Sequence, residues 1–184
     1  MKVVSIVGMA GAGKSAVSIV FEQKGFARVR FGDITDQEVR RRGLELNEAN
    51  ERHVRELLRQ EHGMAAYAEL NLPRIDLALI SSGVVIDGLY SWEEYTRLRD
   101  YYGESFHVVA VWSSPETRYR RLAARAIRPL SGAEAAARDR AEIEHINKGG
   151  PIAMADFIIV NESTVDNLII QTESIIGKLD GKSD

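Results

Sequence analysis

Gly8-Met9-Ala10-Gly11-Ala12-Gly13-Lys14-Ser15 is the stretch on which the fold turns. It matches G-x-x-x-x-G-K-[ST] at every fixed position, the pattern of a phosphate-binding loop (P-loop). Residues 2–7 ahead of it form a short apolar run. From Lys14 the apolar residues Val17, Val20 and Phe21 fall at helical spacing. A strand, a glycine-rich turn and a helix in that order make an anion cradle. Glycines let the backbone wrap a phosphate with its N–H groups turned inward, and the helix adds its positive N-terminal end. Gly8, Gly11, Ala12, Gly13, Lys14, Ser15 and Ala16 are therefore the nucleotide-binding candidates. Lys14 is placed to reach the β- and γ-phosphates, and Ser15 to ligate magnesium.

Outward from the loop, short apolar runs alternate with helical patterns, the signature of a parallel sheet covered by helices. Strands are expected at 2–7, 27–31, 84–87, 107–112 and 157–161. Thr35…Glu38, Ser91…Glu94, Ser131…Glu134 and Ser163…Asp166 fit capping-box spacing, and Ser114-Pro115 reads as a cap followed by proline at the first helical position. Leu168, Ile169, Thr172, Ile175, Ile176 and Leu179 give the last helix one mostly apolar face. Pro73 is expected to kink or split the helical stretch at 64–80. The polar segments 43–63 and 126–150 read either as insertions over an active site, the second as a lid, or as solvated helical hairpins. The chain of 184 residues reads as a single domain, with the end at 180–184 as a frayed tail.

Composition excludes several classes. The chain has no cysteine, so disulfides, cysteine zinc sites and thiol catalysis are ruled out, and a reducing cytoplasmic setting is the expectation. A net charge of −3 argues against nucleic acid as a partner. No leader and no membrane-spanning run is legible. His53, His62, His107 and His145 lack metal-ligand spacing. Asn147-Lys148-Gly149-Gly150 approaches a guanine-specificity motif but ends in glycine where aspartate is needed. Trp92, Tyr95, Tyr101 and Tyr102 read as packing.

Three further groups carry candidate chemistry. Val84-Val85-Ile86-Asp87-Gly88 ends a buried strand with an acid followed by glycine, which suits Asp87 to holding magnesium, directly or through water; the alternative is a carboxylate that merely caps the chain from Leu89 onward. Arg118, Arg121 and Arg125 lie three and four apart and are expected on one helix face. With Arg128 they lead into the segment at 126–150. They serve either to offset transition-state charge or as a solvated basic face. Asp33, just past the second strand, sits where ligands meet open parallel sheets. It is placed to orient an acceptor or take its hydroxyl proton, or to cap the helix beginning near Thr35.

Taken together, these residues resemble the P-loop kinases of small molecules, and most closely the adenylate-kinase-related, dephospho-CoA-kinase-like proteins common in archaea. The likeness covers nearly the whole chain. It rests on Gly8–Ser15, Arg30-Phe31-Gly32-Asp33, Arg42-Gly43-Leu44-Glu45, Val85-Ile86-Asp87-Gly88, Arg138-Asp139-Arg140-Ala141-Glu142 and the run from Ile152 to Glu162. The resemblance implies a three-layer α/β P-loop NTPase fold with a five-stranded parallel sheet of order 2-3-1-4-5. It implies a helical acceptor-binding insertion near 34–80 and a lid near 126–150. The activity it implies is that of a kinase acting on a small-molecule acceptor, with ATP as donor and Mg2+ as its ion; the chain is expected to be a monomer or homodimer. Asn161 then lies near the adenine, Asp33 faces the acceptor, and Arg121 and Arg125 face the phosphates. The chain departs from nucleoside monophosphate kinases at two arginines that grip the acceptor's phosphate. Asp36 stands at the first, and Leu89, Tyr90 and Ser91 stand around the second. Arg40, Arg41 or Arg42 could replace the first; nothing obvious replaces the second.

Overall fold

The structure, a computed structural model, describes residues 1–127 and 129–181. Arg128, the tail residues Lys182-Ser183-Asp184 and the Glu48 side chain lie outside what is described. The elements run β1 (Val3–Val7), α1 (Lys14–Gln23), β2 (Ala27–Arg30), α2 (Asp33–Arg41), α3 (Glu48–His62), α4 (Ala66–Leu79) and β3 (Val84–Asp87). They continue with α5 (Trp92–Tyr102), β4 (Phe106–Trp112), α6 (Pro115–Ala123), α7 (Gly132–Glu144), α8 (Gly149–Ala153), β5 (Phe157–Val160) and α9 (Val165–Leu179).

The five strands are parallel in the order β2-β3-β1-β4-β5, as the resemblance implied. Every residue of β1 and β3 is buried, which is why both read as continuous apolar runs rather than alternating ones. Successive β1 side chains point to opposite faces. Val3 and Val7 join a core with Phe31, Tyr67, Ile75, Leu98 and Phe106. Val4 and Ile6 join another with Val17, Phe21, Val85, Ile159, Leu168 and Ile176, the side covered by α1 and α9. A small third cluster, Ala10, Leu122 and Ala135, fastens α6 and α7 to the loop after β1. In register, Ile6 and Arg30 lie opposite Asp87, so the loop, Asp33 and Asp87 all emerge at the carboxyl edge of the sheet.

Helix starts follow the caps in part. Ser131 and Glu134 form the full reciprocal box, and Ser114 caps α6 ahead of Pro115. Ser91 accepts from Glu94 N, but the Glu94 carboxylate turns to the N–H of Tyr90 at 2.8 Å instead of closing the box. The last helix is capped by Thr164, one residue later than Ser163. Thr35 is not a cap. α2 starts two residues earlier at Asp33, and buried Thr35 shares a 2.5 Å hydrogen bond with Tyr67 Oη. α4 is also not split at Pro73. Pro73 and Glu69, whose carbonyl loses its helical donor, are both exposed, so that carbonyl is open to solvent. No helix among the described residues is long and apolar enough to cross a membrane.

Candidate functional site

The loop from Gly8 to Ser15 is wound as an anion cradle. Gly8, Gly11 and Gly13 all take positive φ, and each presses against a neighbour. A Cβ at Gly8 would sit 2.4 Å from the carbonyl oxygen of Val111, one at Gly11 2.8 Å from that of Arg118, and one at Gly13 2.4 Å from Asn161 Nδ2. Ala12 N–H bonds to Met9 O, whereas the N–H groups of Gly11, Gly13, Lys14 and Ser15 meet no backbone acceptor among the described residues. A set of inward-turned donors at the start of a helix is what a phosphate satisfies. Gly13→Ala is expected to lower stability by about 1–3 kcal/mol, since it combines a disfavoured backbone with a clash. Thermal unfolding measures this, and an unchanged midpoint would contradict the cradle geometry.

Lys14 bends back over the loop and donates to the carbonyls of Gly8 at 2.9 Å and Met9 at 3.1 Å. Burial, and then repulsion from Lys148, lower its pKa to about 7, against the partial pull of Glu142 and Asp87. Lys148 is itself buried and paired with Glu142 at 2.8 Å. That pairing and the nearby lysines hold the Glu142 carboxyl down at about 2 although its burial acts the other way. Two lysines thus converge on the mouth of the cradle, with α7 supplying the acid between them.

Ser15 Oγ donates to Asp87 Oδ1 at 3.4 Å, so the two proposed cation ligands meet across β1 and β3. The other Asp87 oxygen accepts from Arg28. One hydroxyl and one carboxylate suit a hard cation that keeps water and ligand oxygens in its shell. No group of three or more acidic or histidine side chains that could hold a metal alone exists among the described residues. The donor set therefore fits magnesium arriving with phosphates better than a resident metal.

Asp33 opens α2 and lies between Arg30 at 3.0 Å and Arg74 at 3.3 Å. The basic residues after β4 do not act as one face, contrary to expectation. Helix α6 ends at Ala123, so Arg125 falls beyond it and is exposed. Arg118 is buried, grips Asp139 of α7 with bonds of 2.8 and 2.6 Å, and donates to the carbonyls of Ala10 and Ser113, both at 3.2 Å. Arg121 donates to Ser113 Oγ and to Asn161 O, both at 3.0 Å. Asn161 in turn donates to Ala12 O at 2.8 Å, and so lies directly behind the cradle. Of the possible substitute arginines, Arg41 and Arg42 are both tied to Glu38, one or two turns along α2.

Sequence reasoning missed Arg28, Arg74, Lys148 and Glu142 as parts of this site. The charged Arg28 inside the strand Ala27-Arg28-Val29-Arg30 was the available signal. Lys148 was visible only as part of a failed guanine motif.

A family model described as an AAA domain matches residues 4–144. A UPF0200 protein of Thermococcus kodakarensis is 35% identical over 184 residues, covering 98% of this chain and 99% of that protein. Among solved structures, TT1252 from Thermus thermophilus superposes with a TM-score of 0.68 at 17% identity, covering 97% of each chain. A shikimate kinase from Bacteroides thetaiotaomicron reaches 0.60 at 14% identity, covering 95% of this chain and 98% of that one. At such identities the solved structures speak for the fold, a P-loop fold of the small-molecule kinase kind. The family match over most of the chain and the end-to-end relative show that this protein belongs to the AAA-domain family and to the UPF0200 proteins.

Proposed function

We propose that the protein is an ATP-dependent phosphotransferase acting on a small, nucleotide-like acceptor through a hydroxyl group. The observation that carries this reading is the joint placement of Lys14, Ser15, Asp87 and Asp33 at one edge of the sheet. A P-loop that only switched or hydrolysed would need no acceptor-side acid held between two guanidinium groups. The losses at Asp36 and Tyr90 favour a hydroxyl acceptor, as in dephospho-CoA, over the phosphate of a nucleoside monophosphate, which asks for arginines there.

In this mechanism the open N–H groups of the loop hold the donor's phosphates. Lys14 exchanges the Gly8 and Met9 carbonyls for phosphate oxygens. Ser15 and Asp87 would hold magnesium, which would supply positive charge to the donor's phosphates. Asp33 orients the acceptor hydroxyl and takes its proton as the new O–P bond forms. The bond between the γ-phosphorus and the β-bridging oxygen breaks, and ADP leaves. Arg121 and Arg125 enter from the side of α6, with α7 as the lid and helices α2 to α4 as the acceptor-binding insertion. Catalysis rests on positioning and electrostatics rather than covalent chemistry.

The test is ADP release from magnesium-ATP with AMP, CMP, UMP, GMP and dephospho-CoA offered singly, each beside an Asp87→Asn control. Release is expected to depend on one acceptor and to fall about 10²–10³-fold in the control. Acceptor-independent release at the rate seen with water alone would instead favour a regulatory ATPase.

A further inference from the structure

Among the buried polar atoms without a partner in the described residues are Arg59 Nε on α3 and Glu94 Oε1 on α5. Glu94 is completely buried, and its other oxygen accepts from Tyr90 N. Arg59 stacks on the ring of Tyr67, its guanidinium carbon 5.4 Å from the centroid, and makes no ion pair among the described residues. No hydrogen bond or ion pair joins Arg59 to Glu94. Tyr67 and Tyr90 pack edge to face at 5.4 Å to form the floor between them, and Tyr67 is pinned by Thr35 of α2. An orphaned donor and an orphaned acceptor in one buried setting are costly unless something meets both.

The cluster adjoins the transfer site. Lys148, which repels Lys14, also has its ammonium 5.5 Å from the centre of the Tyr90 ring. Tyr90 lies over the turn after β3, and a Cβ on Gly88 would come within 2.8 Å of its hydroxyl. The seat from which an arginine after β3 would reach an acceptor is thus filled by an aromatic ring. The guanidinium comes instead from α3.

We propose that Arg59 and Glu94 form the acceptor-recognition site, taking a small hydroxylated oxyanion whose phosphate or carboxylate bonds to Arg59 and whose hydroxyl bonds to Glu94. The proposal rests on the kinase reading and names its acceptor class. Arg59 offers a planar fork suited to oxyanions, and an aromatic ring behind it fixes the fork's plane. Burial lifts the Glu94 carboxyl to about 7, with the Tyr90 N–H and the Arg59 charge pulling the other way, so the group can give or accept a hydrogen bond near neutrality. A neutral polyol leaves Arg59 unpaired, and a bare anion leaves Glu94 unpaired. Only a ligand with both groups satisfies the pair.

The experiment uses the full chain saturated with magnesium and a non-hydrolysable ATP analogue, so that the P-loop is filled. Calorimetric titration then compares glycerol 3-phosphate, glycerate, glycerol and inorganic phosphate. A hydroxylated anion is expected to bind and glycerol not to bind; whichever of the two anions binds more tightly tells phosphate from carboxylate. Arg59→Met should weaken that probe about tenfold or more, with part of the affinity returning in Arg59→Lys. Glu94→Gln should weaken the hydroxylated probe and leave inorganic phosphate unchanged. Unaltered analogue binding in each variant shows that the fold is intact. Probe binding indifferent to both substitutions overturns the proposal, as does failure of every probe on a protein that binds the analogue. Failure to bind the analogue overturns the kinase reading itself, and this site with it.

Discussion

Lys14→Met is expected to cut phosphoryl transfer by about 10²–10³-fold and, at the same time, to raise the thermal midpoint. The first effect arises from losing the one ammonium that can leave the Gly8 and Met9 carbonyls for a phosphate. The second arises from its depressed pKa. The group titrates near 7 in the folded chain and near 10.5 when unfolded. Between those values the unfolded state binds more protons, so stability rises with pH across that window. At neutral pH and below, the folded protein carries the cost of holding this lysine charged, and methionine removes it. The gain should reach a few degrees, on the order of 1–2 kcal/mol for a partly exposed side chain. A bound phosphate reverses the shift and returns the pKa upward, so nucleotide affinity should fall as pH rises above about 7, with proton uptake on binding. Calorimetry in buffers of different ionisation enthalpy reads that uptake directly. Full turnover in Lys14→Met, or affinity independent of pH from 7 to 9, would exclude this role.

Asp139→Ala is expected to be the most destabilising single change outside the β-sheet. It leaves Arg118, only 4% exposed, with its charge uncompensated beside Leu122 and the loop. Removing one partner of such a pair costs about 3–5 kcal/mol, or roughly 10 °C in a chain of this length. Tyr119 Oη loses its 3.0 Å partner as well. Replacing both charges, Arg118→Met with Asp139→Leu, should recover most of the loss, because apolar groups of similar volume need no compensation. Urea denaturation of the two single variants and the double variant checks the cycle. Strict additivity of the two single changes would show that the pair does not act as a unit.

What could be read in the sequence was local. The P-loop is contiguous, its glycines are fixed by backbone need, and the flanking strand and helix announce themselves by period. Asp87 was legible for the same reason, as an acid closing a buried run. The sheet order came from likeness and matched. The failures are non-local. Arg28 reaches Asp87 across 59 residues of chain and Arg74 reaches Asp33 across 41, and no spacing rule connects such pairs. Arg118, Arg121 and Arg125 lie three and four apart, as one helix face requires, yet burial sends Arg118 inward and the helix ends before Arg125. Thr35 matched a cap pattern, but Gly32 and Asp33 had already begun the helix, leaving its hydroxyl to Tyr67. Pro73 broke a propensity rule without breaking α4, because the bond it removes lies on the wet face.

The Arg118 guanidinium bonds both to Asp139 of α7 and to the carbonyl of Ala10, within the P-loop. A peptide of the phosphate cradle and a distant helix therefore share one guanidinium. Anything that alters how firmly Asp139 holds it changes the free energy of the loop's arrangement, and the influence runs equally both ways. Whatever a bound phosphate does to the affinity of α7 for its dock, the docked α7 does to the affinity for phosphate, by the same factor. Substitutions on the outer turns of α7, far from any phosphate, then become reporters of nucleotide binding, and the occupancy of the cradle can be read from the exchange protection of amides in α7.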